Sequence, residues 1–281
     1  MTSVQTIFAR VRADLRQRAA GAPSAWLAMV LLVAGVLCGC GALTPRSPEL
    51  TPPLAIFAPY DTSRGEVLWA VLPLTNETGT DLFDPLIVTD KLVAAAEQIH
   101  GIRTVPLNRT LVAMHALHIT QVTNPGQIRE IASAMGVDGV LVGSITAYDP
   151  YTPPTFGMSL ALYANSGAMD NRASSTTIDT RKLSASPTEQ LPGAQSGYTN
   201  RPASVVSDLL DAKNHGVLED LKKYAQGRHD PQSALSWHRY TASMDLYTQF
   251  ATHHMVAQLI ENERARIWEL QQAAEDSSSS H

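Results

Sequence analysis

Val67-Leu68-Trp69-Ala70-Val71-Leu72 is a continuous apolar run of strand length, closed by Pro73. Such a run predicts a strand covered on both faces, as in a parallel sheet, rather than one with a wet side. A strand covered twice needs helices above and below it, so the sequence on either side should carry helical periodicity.

Downstream it does. Asn76-Glu77-Thr78-Gly79 reads as a turn, and Asp84-Pro85 opens a helix with proline where a missing N–H is harmless. Leu86, Leu92, Val93, Ala96 and Ile99 supply its buried stripe, and Gly101 ends it. Ile102–Pro106 reads as a short strand, and Thr110–His118 as a short helix. Asn124-Pro125 caps a further helix to Met135, with Ile128, Ile131, Ala132 and Met135 on one face. Gly136 supplies its left-handed stop. Val137–Tyr148 is the next strand. After a turn containing Pro150, Pro153 and Pro154, Thr155–Tyr163 alternates. Phe156, Met158, Leu160 and Leu162 face one way, and Gly157, Ser159, Ala161 and Tyr163 the other. The order is β-α-β-α-α-β-β, an α/β fold with a layered mixed sheet, over residues 66–164.

Residues 165–204 are rich in Ser, Thr, Asn, Gly, Pro and Gln, which predicts a flexible loop with a possible edge strand at Thr176–Leu183. Residues 205–275 form a C-terminal helical part of the same domain, with helices at His215–Gln226 and from about Met244 to Ala274. The charged turns Glu261–Leu270 are expected to project, and 276–281 to be a disordered tail.

Two segments resemble a known group. Trp69–Gly79 is similar to its first strand, a Val-Leu-Pro-Phe run followed by Asn-x-Thr-Gly, with Leu74 here in place of the aromatic. Ala134–Thr146 is similar to its helix-to-strand step. The group contains the curli-secretion channel lipoprotein (CsgG) and the N-terminal domain of the Tol-Pal propeller protein (TolB). The resemblance implies a periplasmic domain that self-associates or docks on envelope machinery, and no catalysis. Thr176–Leu183 carries only Ile178 and Leu183 as large apolar residues, too few for a membrane strand, so a pore is not expected.

Upstream, the chain reads as an export precursor. Arg10, Arg12, Arg16 and Arg18 precede an apolar run from Ala25 to Leu37. That run is too short for a membrane helix of ~20 residues and suits a signal-peptide core. Leu37-Cys38-Gly39-Cys40 fits a lipobox, with a small residue at −1 and cysteine at +1. Residues 1–39 are thus expected to be a lipoprotein signal peptide cleaved after Gly39, with Cys40 lipidated. Gly41, where aspartate would favour retention at the inner membrane, points to the periplasmic face of the outer membrane. Residues 40–65, with Pro45, Pro48, Pro52, Pro53 and Pro59, read as an extended tether. Leu54, Ile56 and Phe57 within it remain available to dock on the domain.

Both cysteines fall in the export segment, so no thiol chemistry is expected in the folded domain. Removing four arginines and one aspartate from 21 basic and 26 acidic residues leaves 17 and 25, a net charge of −8. An acidic domain without a basic block is not expected to bind nucleic acid. GVDGVLVG lacks the Lys-Ser/Thr of a phosphate loop, and no G-x-S-x-G elbow occurs. No cofactor is expected. His229, His238, His253 and His254 lie close in sequence, but His253 and His254 point about 100° apart on a helix, so no metal site is expected.

Tyr148-Asp149-Pro150-Tyr151-Thr152-Pro153-Pro154 is the most distinctive loop. It reads either as a partner contact through Tyr148 and Tyr151 or as a rigid turn with its tyrosines packed inward. Three functions follow in order. The first is a non-enzymatic lipid-anchored component of an envelope transport, secretion or surface-assembly complex, held by protein partners or as a homo-oligomer. The second is a monomeric binding module for a peptide or glycan. The third is an envelope hydrolase using Asp138 or Asp149.

Overall fold

The computed structural model describes residues 52–165, Met169, 200–230 and 233–279. In chain order the elements are β1 (Val67–Val71), β2 (Thr75–Asn76), α1 (Pro85–Glu97), β3 (Ile102–Thr104), α2 (Leu107–Ala116), α3 (Pro125–Met135), β4 (Gly139–Asp149), β5 (Thr155–Ala164), β6 (Ser204–Asp211), α4 (His215–Ala225), α5 (Arg239–Ala242) and α6 (Met244–Ser279). The six strands form one mixed sheet in the order β3-β1-β4-β5-β6, with β2 also on β4. β1 runs parallel to β3 and β4, whereas β4, β5 and β6 are successive antiparallel neighbours. This is the layered α/β class read from the sequence.

The opening run becomes a central strand, and Trp69, Ala70 and Val71 are fully buried. Pro73 cannot donate to a ladder, so the strand breaks there and resumes as β2 along the same edge of β4. Leu72 N–H donates to Leu141 O before the break and Glu77 N–H to Ile145 O after it, both at 2.9 Å. The turn that follows is held by Asn76. Its Oδ1 accepts from Thr78 N–H at 3.0 Å and Thr78 Oγ1 at 2.7 Å, and its Nδ2 donates to Thr80 O at 2.7 Å.

Asp84 caps α1 by accepting from Leu86 N–H at 2.8 Å. The buried face of α1 is Val88, Leu92, Ala95 and Ala96. Leu86, assigned to that face from the sequence, is 41% exposed. It lies in the first turn of the helix, at the flank of the buried face on the side of Val93. Asn124 caps α3 by accepting from Gln127 N–H at 3.1 Å. Gly136 closes that helix at φ +63°, a conformation that favours glycine.

Two apolar layers flank the sheet. On one side Trp69, Leu92, Leu141, Met158, Leu162, Phe250 and Leu259 join the sheet to α1 and α6. On the other Ala70, Leu72, Ile128, Ile131 and Val140 join it to α2 and α3. Each such large side chain contributes about 1.5–3 kcal/mol when fully buried. Close approach fixes Gly139 and Gly143 of GVDGVLVG. A Cβ on Gly139 would lie 2.6 Å from the Trp69 ring, and one on Gly143 2.3 Å from Ser159 O.

Three features differ from the sequence reading. Residues 204–211, divided there between the loop and the helical part, form strand β6. The run Val205-Val206…Leu209-Leu210 has neither clean period, because β6 lies at the sheet edge with one face on α6 and the other open. Second, the charged turns of α6 pack rather than project. Glu263 is fully buried and Ile267 is 3% exposed. The Glu263 carboxylate accepts from Tyr60 Oη at 3.0 Å, from Arg266 Nε and Nη2 at 3.0 and 2.8 Å, and from Ser204 Oγ. A buried carboxylate persists only with such partners. The helix itself continues through Ser279, into the expected tail.

Third, order begins before Glu66, through the docking left open for Ile56 and Phe57. Ala58 N–H donates to His100 O and His100 N–H to Ile56 O, both at 2.9 Å. Phe57 stacks on His100 with centroids 4.8 Å apart, and Arg264 donates to Phe57 O at 3.2 Å. With Tyr60 buried on Glu263, residues 56–60 act as a strap across the end of the sheet. Thr176–Leu183 lies outside the described residues.

Candidate functional site

Among the described residues, the face of the sheet carrying α2 and α3 is only half covered. These helices sit on β1 and β4, and farther toward β6 Val205 and Leu209 are 51% and 57% exposed. Where the covered and open halves meet lies a cleft of about 550 Å³. The β1–β2 segment, the 120–125 loop, β4 and β5 form its walls and floor. This volume lies within the range of small-molecule sites.

Register explains its chemistry. Thr75 pairs with Ser144, Ser144 with Ser159 and Ser159 with Ser207, so four hydroxyl residues cross β2, β4, β5 and β6 in one row. The adjacent row is apolar, running Val142, Ala161, Val205. Tyr163 lies one step farther on, opposite Val140. Thr75, Ser144, Ser159 and Tyr163 line the cleft, joined by Gln121 and by the exposed Glu77. Thr75 Oγ1 makes one long bond, 3.4 Å, to Gly143 O. Among the described residues no lysine, arginine or histidine lines the cleft. The sequence places Ser159 and Tyr163 on one strand face, but only the β4–β5 pairing shows that Ser144 stands opposite Ser159.

At the far end of the sheet, the β4–β5 hairpin separates its two tyrosines. Tyr148 is half-buried, stacked on Phe83 at 4.3 Å and edge-on to Phe156 at 6.2 Å. Burial raises its phenol pKa, and the nearby Asp245 adds to the shift. Tyr151 is 75% exposed, on a turn where its N–H donates to Asp149 Oδ1 at 3.1 Å. The Phe83 stack brings the exposed Leu82, Leu86 and Ile87 to this same end.

The carboxylates weighed for hydrolysis serve the backbone instead. Asp138 Oδ2 accepts from Leu68 N–H at 2.9 Å, just before β4, and Asp149 closes the same strand and holds the hairpin turn. Strand rise puts them roughly 35 Å apart, too far to act as a pair. The histidines are likewise dispersed. His229 bonds Ala225 O and Ser236 Oγ, and His238 stacks on Trp237. His254 lies 3.6 Å from Asp208 and 2.9 Å from Gln258. His253 packs on Tyr224, and burial, then the charge of Arg228, lowers its pKa to about 4. Among the described residues no group of three or more His, Cys, Asp or Glu is placed to hold a metal, and no helix is long and apolar enough to cross a membrane. Gly39, Cys40 and the apolar run before them lie outside the described residues.

Sheet order, layers and an open cleft define an α/β domain with a half-covered mixed sheet. No family model and no curated protein matches the sequence. Among solved structures the chain is similar to Lipoprotein GNA1162 from Neisseria meningitidis, with 14% identity, 55% of this chain and 90% of that one covered, and a TM-score of 0.33. It is similar to the LpoB C-terminal domain from Escherichia coli, with 21% identity, 34% and 71% covered, and a TM-score of 0.27. It is also similar to the PelC dodecamer from Paraburkholderia phytofirmans, with 17% identity, 43% and 71% covered, and a TM-score of 0.25.

Proposed function

We propose that this chain is a lipid-anchored, non-enzymatic component of a cell-envelope transport, secretion or surface-assembly complex, working through protein contacts. The observation that carries the reading is the lipobox Leu37-Cys38-Gly39-Cys40 directly after a basic and then apolar segment. The anchor is Cys40, and the domain lies on the periplasmic face of the outer membrane. The contact surface is the hairpin end of the sheet. Tyr151 presents its ring to the partner, and Tyr148, packed on Phe83, supports the hairpin beneath it. Exposed Leu82, Leu86 and Ile87 widen this surface, and apolar side chains gathered at one end of a domain favour protein association.

The test follows export. Cells fed radiolabelled palmitate should label the chain, and Cys40→Ala should abolish the label and leave a larger, uncleaved precursor. Normal maturation of that variant would overturn the anchor assignment.

A further inference from the structure

We propose that the half-covered cleft binds a neutral oligosaccharide. This goes beyond the envelope-component reading and does not rest on the lipid anchor.

The floor of the cleft has two kinds of row side by side. Thr75, Ser144 and Ser159 offer hydroxyls that both donate and accept, and the Val142–Ala161 row beside them is apolar. A pyranose has this same division, with hydroxyls around its rim and C–H groups on its faces. The hydroxyl residues sit on neighbouring strands, about 4.8 Å apart, a step comparable to the length of one sugar unit. Tyr163, lining the cleft at its other side, supplies an aromatic surface for a sugar face.

The polar groups are also available. Among the described residues, the side chains of Ser144, Ser159, Gln121, Tyr163 and Glu77 make no hydrogen bond. Unlike a surface position, a cleft half-removed from water rewards a ligand that satisfies such groups. The charge pattern narrows the class further. Among the described residues the lining has one carboxylate, Glu77, and no cation, so phosphate, anionic glycans and acidic peptides meet repulsion without compensation. An extended peptide is normally captured by the free backbone of a strand edge. Here the floor is a sheet face, whose backbone groups are engaged in the β4–β5 ladder. Recognition therefore falls to side-chain hydroxyls and amides.

The experiment titrates the full chain, held in a non-glycosidic detergent, with chitotetraose and cellotetraose by calorimetry. Saturable binding of either is expected, and Ser144→Val and Ser159→Val should each weaken it about tenfold. Tyr163→Leu should weaken it likewise, and thermal unfolding of each variant checks that the sheet is intact. Should a floor variant fail to fold, Gln121→Ala, on the 120–125 loop, should still lower the affinity. Glu77→Gln should relax the exclusion of an anionic oligosaccharide such as tetragalacturonate. No saturable binding at millimolar sugar would overturn the proposal. So would affinity unmoved by the floor and loop variants, or tighter binding of tetragalacturonate or of an extended peptide by the unmodified chain.

Discussion

Glu263 shows how much one side chain joins. It gathers Tyr60 from the strap, Ser204 from β6 and Arg266 from its own helix, with no exposed surface of its own. Replacing it by alanine removes the carboxylate that a guanidinium and two hydroxyls share, so Glu263→Ala should cost about 3–5 kcal/mol in urea unfolding. A loss below about 1 kcal/mol would mean that the cluster contributes little. His253 gives the pH dependence. Its folded pKa of about 4 lies below the usual 6.5, so the unfolded chain binds the extra proton between those values. Its contribution is therefore present above pH 6.5 and is lost as pH falls toward 4. His253→Gln should flatten this part of the stability curve. An unchanged slope between pH 7 and pH 5 would show that the imidazole is not held neutral.

At the scale of elements, caps and edges set the boundaries. Asn124 holds the first turn of α3, so Asn124→Ala should lower stability by about 1 kcal/mol, read as a shifted urea midpoint at constant slope. The elements legible in the sequence are those whose signals are local. β1 is a pure apolar run, β5 alternates strictly, and α1 and α3 carry both cap and stop. What stayed hidden depends on distant partners. β6 is a strand because β5 lies beside it, and Asn262 of α6 donates to Val205 O at 3.0 Å, covering part of its outer edge. The buried turns of α6 read as exposed because Glu263 meets Tyr60 and Ser204 only in three dimensions. The hydroxyl row of the cleft is spread over Thr75, Ser144, Ser159 and Ser207, so no window of sequence contains it.

For the whole molecule, the decisive quantity is mass in solution. A component that assembles should give, by light scattering with detergent mass subtracted, a discrete multiple of the mature chain. Tyr151→Ala should shift that species toward the monomer without lowering the unfolding midpoint, since its ring is exposed. Tyr148→Ala should lower the midpoint as well, because Phe83 and Phe156 lose their packing partner. A monomer for the unmodified chain would move the function from assembly to ligand capture. The strap also sets a length. A lipid on Cys40, as proposed, would leave at most about 55 Å of chain between the anchor and Ile56, where the strap docks. Undocking the strap as far as Gly65 would pay out roughly 30 Å more. The Tyr60–Glu263 bond would then be a hitch on a mooring line, and with the proposed anchor in place Tyr60→Phe should let the domain crosslink to targets farther from the membrane.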